Sequence, residues 1–172
     1  MGAGARRQRD AEFTAFVEQA SPELLRFAWF LTGEVHAAQD LVQGALLRTY
    51  RAWRRIDVPR AVAYTRRVMV NLSRREWRRG GAGRVLVGEG TGELLAPAPD
   101  HADAAGEQDR LIRGLRQLPS RQRTVVVLRY YCDLSEQQCA DELGISTGAV
   151  KSAASRGLAR LREHLVMQEV HP

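Results

Sequence analysis

The chain has 172 residues, of which 44% are hydrophobic, so it can bury the core of one domain or of two small ones. Its formal net charge is +6 and its pI is about 10.1, values that favour a polyanionic partner. Two cysteines, Cys132 and Cys139, and the lack of a long apolar run exclude a disulfide-stapled secreted module and a membrane-inserted protein.

The N-terminus, MGAGARRQRD, has no apolar run behind its arginines. It therefore does not resemble a signal peptide, and we expect a reduced, cytoplasmic protein. Residues 1–10 are small and charged, and we expect them to be disordered.

Residues 11–79 predict four helices with short connections, which is one compact helical domain. The first helix covers residues 11–20, and Ser21-Pro22 is typical of a cap and first turn, so a second helix or a kink begins there. A third helix runs from about residue 34 to residue 55. Asp57-Val58-Pro59 breaks it, and Pro59 starts the fourth helix. No segment alternates like a β-strand.

Residues 80–106 differ in composition from both flanking segments. They are rich in Gly, Ala and Pro and carry one Arg against four acids, whereas residues 11–79 carry twelve Arg against seven acids. Such a sequence without hydrophobic period is typical of a flexible linker. A second helical domain is expected at residues 107–166, followed by a short tail at 167–172. The predicted fold class is therefore all-α, with two small helical domains joined by a flexible linker.

The segment 134–165 predicts a helix-turn-helix. Ser135 and Gln138 form a capping-box pattern, and Gly144 lies where the chain must leave the first helix. The second helix then presents polar and basic residues near its N-terminal end, where a recognition helix contacts base edges and phosphates: Lys151, Ser152, Ser155 and Arg156. The alternative is a helical hairpin with a solvated basic face.

Two helices of the first domain carry less decisive signals. The third helix has apolar residues around much of its girth, so it is either centrally buried or packs against a partner. The fourth helix alternates arginines with Tyr64 and Trp77, a pattern that suits single-stranded nucleic acid but equally fits a solvated arginine face over core aromatics.

Three segments of the sequence resemble segments of the extracytoplasmic-function (ECF) sigma factors, a branch of the sigma-70 family, and in particular their actinobacterial SigE-like type. They are FAWFLTGEVHAAQDLVQGALLRTYRAW, YTRRVMVNLSRREWRR and LRQLPSRQRTVVVLRYYCDLSEQQCADELGISTGAVKSAASRGLARLRE. The resemblance covers about residues 11–79 and 107–166, and two unrelated segments match in the right order and separation. It implies a sigma factor that binds core RNA polymerase, recognises the −10 and −35 promoter elements and promotes DNA melting.

The resemblance also implies roles for particular residues. The first domain resembles sigma region 2, and its third helix would dock on the β′ clamp helices of the polymerase through Asp40, Leu41, Gln43, Leu47 and Tyr50. The loop 56–60 and the fourth helix would capture the −10 strand through Arg60, Tyr64, Arg67, Asn71, Arg74 and Arg75. The second domain resembles sigma region 4, which would contact the β flap and read the −35 element through Lys151, Ser152, Ser155 and Arg156. An anti-sigma factor is the expected regulatory partner.

Two positions depart from the family pattern. Gly44 stands where an acidic residue is usual, and a glycine inside a helix costs about 1 kcal/mol relative to alanine. Ala153 stands where many relatives carry a basic residue, so we expect fewer charges on the DNA-contacting face.

Two other classes of protein, a helix-turn-helix regulator and an enzyme, are alternatives to a sigma factor. A helix-turn-helix regulator that works without polymerase would use the second domain alone and would leave the basic fourth helix unexplained. An enzyme is disfavoured, because the four histidines are scattered and no nucleophile, phosphate loop or metal cluster accompanies them. We therefore expect no catalytic residue, no metal and no cofactor.

Overall fold

The computed structural model describes the backbone of residues 3–78 and 102–170, and side chains within 4–74 and 106–167. These residues form two compact units, the first built mainly on helices α1–α3 and the second mainly on α4–α7. The described residues contain only helices and turns, as the sequence predicts. The predicted linker 80–106 lies almost wholly outside the described residues, except that its last five residues already belong to α4.

The first unit is built on three α-helices, α1 (Ala3–Thr32), α2 (Val35–Ala52) and α3 (Ala61–Arg78), except that Trp29–Val35, which joins α1 to α2, belongs to the second unit. Two short 3₁₀ turns, Trp53–Arg55 and Val58–Arg60, join α2 to α3. Gly33 ends α1 with a φ of +74°, and its N–H donates to the carbonyl of Trp29 at 2.7 Å. This left-handed conformation favours glycine and ends the helix there.

Of the two alternatives expected at Pro22, a second helix or a kink, the separate helix is wrong, because α1 is continuous through this proline. A proline inside a helix costs about 3 kcal/mol. Fully burying a leucine side chain contributes about 1.5–3 kcal/mol, and Leu24 and Leu25 are both buried just beyond the proline. The continuous apolar face therefore outweighs the missing backbone hydrogen bond.

The prediction of disorder at residues 1–10 is wrong from Ala3 onward, because α1 begins there. Tyr50 of α2 ties this end down. Its hydroxyl donates to Asp10 Oδ1 at 2.6 Å and accepts a hydrogen bond from the Arg9 guanidinium, which also lies over the tyrosine ring. Aromatic packing continues the attachment, since the Phe13 ring lies edge-on to Tyr50 at 5.0 Å and to Trp53 at 5.1 Å.

A buried pair of hydroxyls joins α2 to α3 in the first core. Thr49 Oγ1 and Thr65 Oγ1 lie 3.1 Å apart, and both side chains are fully buried. Each hydroxyl also donates to a backbone carbonyl of its own helix, at Ala45 and Ala61 respectively. Because the hydroxyls have partners, their burial carries no unsatisfied hydrogen-bonding group, and the contact fixes how the two helices cross.

The second unit contains α4 (Ala102–Arg116), α5 (Ser120–Val126), α6 (Glu136–Leu143) and α7 (Thr147–Val170). A wider π-helical turn, Val127–Tyr131, continues α5. Helix α7 runs beyond residue 166, so the expected tail is partly helical. Gly157 brings α5 and α7 close together, because a Cβ there would lie 2.7 Å from Val126 Cγ2.

Candidate nucleic-acid interface

Helix α3 is oriented by a buried inner face. Ala61, Thr65, Met69 and Val70 are fully buried, at the i, i+4, i+8 and i+9 spacing of one helix face. The opposite face is therefore presented outward. Pro59, with its fixed φ, lies in the preceding 3₁₀ turn, and the N–H of Arg60 donates to the carbonyl of Asp57 at 2.8 Å, which leads the chain directly into α3.

The outward face of α3 carries the residues for which the resemblance implies −10 binding. Arg60, Tyr64, Arg67 and Asn71 are exposed, and Arg74 is half-buried. The Arg75 side chain lies outside the described residues, although its backbone belongs to α3. The spacing of these positions puts them on one stripe of the helix, and we call the stripe the α3 row: Arg60, Tyr64, Arg67, Asn71, Arg74 and Arg75.

Arg66 shows how the structure separates the arginines of α3. Its guanidinium lies 3.1 Å from Glu23 of α1, and its side chain is only 25% exposed. Arg66 therefore holds α3 against α1, whereas its neighbour Arg67 is free to face solvent. Arg66 thus has a structural partner, while the exposure of Arg67 is compatible with both explanations that the sequence left open.

Helix α2 divides the five residues for which the resemblance implies polymerase binding. Asp40 and Gln43 are half-buried and Leu47 is 54% exposed, and their spacing places them on one side of the helix, here called the docking face. Leu41 is buried in the core, and Tyr50 is held by Asp10 and Arg9. The structure thus brings three of the five together on a surface, buries Leu41, and leaves Tyr50 half-buried against the start of α1.

The helix-turn-helix forms as the local sequence predicts. Ser135 Oγ accepts from the N–H of Gln138 at 3.1 Å, and the N–H of Ser135 donates to Gln138 Oε1 at 2.7 Å, so the capping box is complete. Gly144 has a φ of +60° and ends α6. Ser146 then caps α7, its hydroxyl accepting from the N–H of Ala149 at 3.2 Å. These local contacts fix the angle at which α7 leaves α6.

The first turns of α7 present the four residues predicted to read duplex DNA. Lys151, Ser152, Ser155 and Arg156 are all exposed, and we call them the recognition face. The expectation that Ala153 removes a charge from this face is wrong, because Ala153 is only 3% exposed and belongs to the core with Val150. The side chain at this position faces inward and does not lie beside the recognition face.

Sequence reasoning missed Glu136, an acidic neighbour of the recognition face. Its Oε2 lies 3.5 Å from Lys151 Nζ, across the turn between α6 and α7. Glu136 occupies the first turn of α6, where an acidic residue is ordinarily explained by the helix dipole alone. The pairing becomes visible only when the two helices are placed together.

The described residues bear on two expected absences, that of a metal site and that of a reactive thiol. No group of three or more histidine, cysteine or acidic side chains is arranged to hold a metal ion in residues 4–74 and 106–167. Cys139 is fully buried, and burial raises the pKa of its thiol to about 11, so it is a poor nucleophile. None of the described helices is long and apolar enough to cross a membrane.

Two family models match the chain in the order of its two units. The model described as sigma-70 region 2 matches residues 16–82, and that described as sigma-70 region 4 matches residues 108–161. The chain is 42% identical over 161 residues to the RNA polymerase sigma-E factor of Streptomyces coelicolor, covering 92% of this chain and 89% of the relative. It is 32% identical over 173 residues to the ECF RNA polymerase sigma factor SigL of Mycobacterium tuberculosis, covering 97% and 95%.

Solved structures show the same fold at lower identity. The sigma factor RpoE, crystallised with the anti-sigma factor NepR from Bartonella quintana, matches with a TM-score of 0.63 at 22% identity, over 89% of this chain and 96% of that one. CnrH, solved in complex with the cytosolic domain of CnrY, matches with a TM-score of 0.59 at 21% identity, over 93% and 89%. From the two family models and the Streptomyces and Mycobacterium relatives together, the chain belongs to the sigma-70 family of RNA polymerase sigma factors.

Proposed function

We propose that this chain is an ECF-type sigma subunit that binds core RNA polymerase, recognises the −10 and −35 promoter elements and promotes DNA melting in the cytoplasm. The observation that supports the proposal is the presence of a surface of mostly exposed basic and polar side chains on each of two separate helical units, the α3 row and the recognition face. A regulator that binds only duplex DNA needs the second of these rows but not the first.

The α3 row suits an unpaired strand. Arginine side chains can follow the phosphates, while the ring of Tyr64 and the guanidinium planes provide surfaces on which bases stack. Tyr64 is 37% exposed, so its ring is accessible to an unpaired base. We therefore assign the α3 row, with the loop 56–60, to the non-template strand of the −10 element.

The docking face of α2 suits a protein partner. Leu47 is among the most exposed large apolar side chains of the first unit, and it lies between polar residues, as in a small interface with an apolar centre and a polar rim. We assign this face to the β′ clamp helices. Leu41 and Tyr50 act from behind it, by packing α2 against the core and against α1.

The recognition face suits the major groove of duplex DNA. Lys151 and Arg156 can contact phosphates or guanine, and the hydroxyls of Ser152 and Ser155 can donate to or accept from base edges. All four lie in the first three turns of α7, the part of a recognition helix that enters the groove. We assign this face to the −35 element, with the second unit held near the β flap.

Promoter opening in this proposal needs no catalytic side chain. Core polymerase holds the two units at a fixed separation, so two weak DNA sites act together through effective concentration. Extruding a base costs a few kcal/mol, which stacking on the α3 row and phosphate contacts can offset. We also infer regulation by an anti-sigma factor. RpoE of similar fold was solved with the anti-sigma factor NepR, and CnrH was solved with the cytosolic domain of CnrY.

The test is reconstitution with bacterial core polymerase, followed by sequencing of run-off transcripts from a genomic library. Promoters that share two motifs at a fixed spacing upstream of the start support the proposal. Arg67→Ala should reduce opening of these promoters without weakening core binding, whereas Arg55→Ala, which removes an exposed arginine outside the α3 row, should leave opening unchanged. Duplex binding without formation of a holoenzyme would instead support a regulator that acts independently of polymerase.

A further inference from the structure

A cavity of about 690 Å³ opens in the first unit between the start of α1 and the connection from α2 to α3. The polar part of its lining is dominated by three arginines, Arg6, Arg9 and Arg54, against one acid, Glu12. Trp53, Ile56 and Val58 supply an apolar wall. This volume lies within the usual range for ligand sites, and the lining favours an anion that also carries an apolar or aromatic part.

The charges in this cavity are only partly compensated. Asp10 lies 3.6 Å from Arg9 and 3.9 Å from Arg6, but its carboxylate is engaged mainly by the Tyr50 hydroxyl, whose hydrogen bond lowers the pKa of Asp10. Glu12 accepts a hydrogen bond from the amide of Gln8. Arg54 makes no ion pair with the residues that the structure describes, and Arg9 Nε is buried without a hydrogen-bond partner among them. The lining therefore retains a net positive charge.

The walls of the cavity are held in place before any ligand arrives. The hydrogen bonds of Tyr50 with Arg9 and Asp10 fix the first turns of α1. The rings of Phe13 and Phe16 pack against Trp53 at 5.1 and 5.0 Å. Arginines on a fixed frame lose less conformational entropy on binding an anion than arginines on a disordered arm.

The cavity is adjacent to the α3 row. Val58, which lines it, and Arg60, the first residue of that row, belong to the same 3₁₀ turn. Two residues of chain span at most about 7 Å, so a nucleic-acid strand bound at Arg60 passes near this wall of the cavity. This adjacency and the excess of positive charge indicate which polyanion the cavity fits.

We propose that the N-terminal cavity binds phosphate groups of the unpaired non-template DNA strand adjacent to those bound by the α3 row. The proposal deepens the proposed function and rests on it. Arg6, Arg9 and Arg54 contact the phosphates, and Trp53 with Ile56 supports the sugar or base that follows. The N-terminal turns of α1 thereby become part of the DNA-binding surface.

The test uses the reconstituted holoenzyme and a fork promoter fragment whose non-template strand is single-stranded from the −10 element onward. Binding is measured by fluorescence anisotropy between 50 and 200 mM salt for Arg6→Ala/Arg54→Ala. The matched control is Arg7→Ala/Arg55→Ala, which removes two exposed arginines next in sequence that do not line the cavity. Each phosphate contact to a single strand contributes about 0.7 to the log–log salt slope.

We expect the slope of the cavity variant to be about 1.4 smaller in magnitude than that of the wild type. Raising the salt from 50 to 200 mM should therefore reduce the affinity of the wild type by a factor about seven times larger than the factor for the variant. The control should keep the wild-type slope. Neutral methylphosphonates placed singly along the strand should weaken the wild type at one or two positions outside the −10 motif. The cavity variant should be insensitive at those same positions.

Three results would overturn the inference. The first is equal slopes for the cavity variant and the control, and the second is methylphosphonate sensitivity that the cavity variant retains. The third is a loss of core polymerase binding by the cavity variant, because it would assign the cavity to the polymerase. All three results count only if the wild type forms a holoenzyme and opens promoters. A wild type that does neither would instead contradict the proposed function.

Discussion

Replacing Glu136 by Gln should strengthen binding of the −35 element. The Glu136 carboxylate lies 3.5 Å from the ammonium of Lys151, whose side chain is 67% exposed, and it lowers the positive charge that the recognition face presents to DNA. Glutamine has nearly the same shape and removes only the charge. The change leaves the capping box intact, because Ser135 and Gln138 form it without Glu136.

The size of the effect can be estimated for two ways of binding DNA. If Lys151 leaves Glu136, it gives up an exposed ion pair worth about 0.2–1 kcal/mol. If the pair stays intact, a phosphate on the far side of Lys151, about 7 Å from the carboxylate, is repelled by about 0.6 kcal/mol in water. Either way the substitution gains about 0.6 kcal/mol, or roughly a threefold increase in affinity at low salt. Because both groups are exposed, screening should remove most of the gain at high salt.

The assay is competition binding of the holoenzyme to duplex promoter fragments with and without the −35 motif. The matched control is Asp141→Asn, which removes an exposed acid from the other end of α6, where it accepts a hydrogen bond from Gln137. We expect the control to change affinity by less than twofold. An unchanged or weakened Glu136→Gln variant, or an equal gain for the control, would refute the assignment of Lys151 to DNA binding.

Three further predictions concern the turn, the docking face and the buried thiol. Gly144→Ala should lower the free energy of unfolding, measured by urea titration, by about 1 kcal/mol, because the backbone φ of +60° at Gly144 disfavours a Cβ. Gly148→Ala is the control and should be neutral or stabilising, because a Cβ at this position of α7 meets no other atom. Leu47→Asp should abolish co-elution with core polymerase at an unchanged melting temperature, since the side chain is 54% exposed. Cys132, half-buried, should be alkylated in the native protein before Cys139. Burial raises the pKa of the Cys139 thiol from 9.0 to about 11, so the unfolded chain loses this proton at a lower pH than the folded protein does. The free energy of unfolding should therefore fall as the pH rises from 9.0 to about 11, and it should fall by a smaller amount in Cys139→Ala.

The helix-turn-helix could be predicted almost residue by residue because its signals are local. The cap at Ser135, the left-handed glycine at Gly144 and the cap at Ser146 each act within four residues of sequence. The burial of Cys139 and Val150 follows from helical periodicity alone. The prediction was wrong at Ala153, because there the family pattern, and not the periodicity, was used to infer exposure.

The first unit was less predictable because its decisive interactions join distant residues. The sequence places seven arginines on or beside the fourth predicted helix, but only the position of Glu23, more than forty residues earlier, tells Arg66 from Arg67. Similarly, Leu41 and Leu47 look equivalent in an amphipathic helix with apolar residues on several sides. The packing of α1 and α3 against α2 decides that one is buried and the other exposed.

The N-terminal residues illustrate the same physical limit most clearly. Residues 3–10 contain alanines and arginines with good helix propensity, yet a segment so short is marginal as a helix by itself, and glycine and charge make disorder the natural expectation. Tyr50 changes this balance by binding both Arg9 and Asp10 across forty residues of sequence. Once Phe13 and Phe16 have packed on Trp53, extending the same helix requires no new nucleation, and each added turn brings one more arginine to the cavity. The order of α1 and its proposed contact with DNA therefore have the same origin, which is an aromatic cluster that local sequence patterns do not reveal.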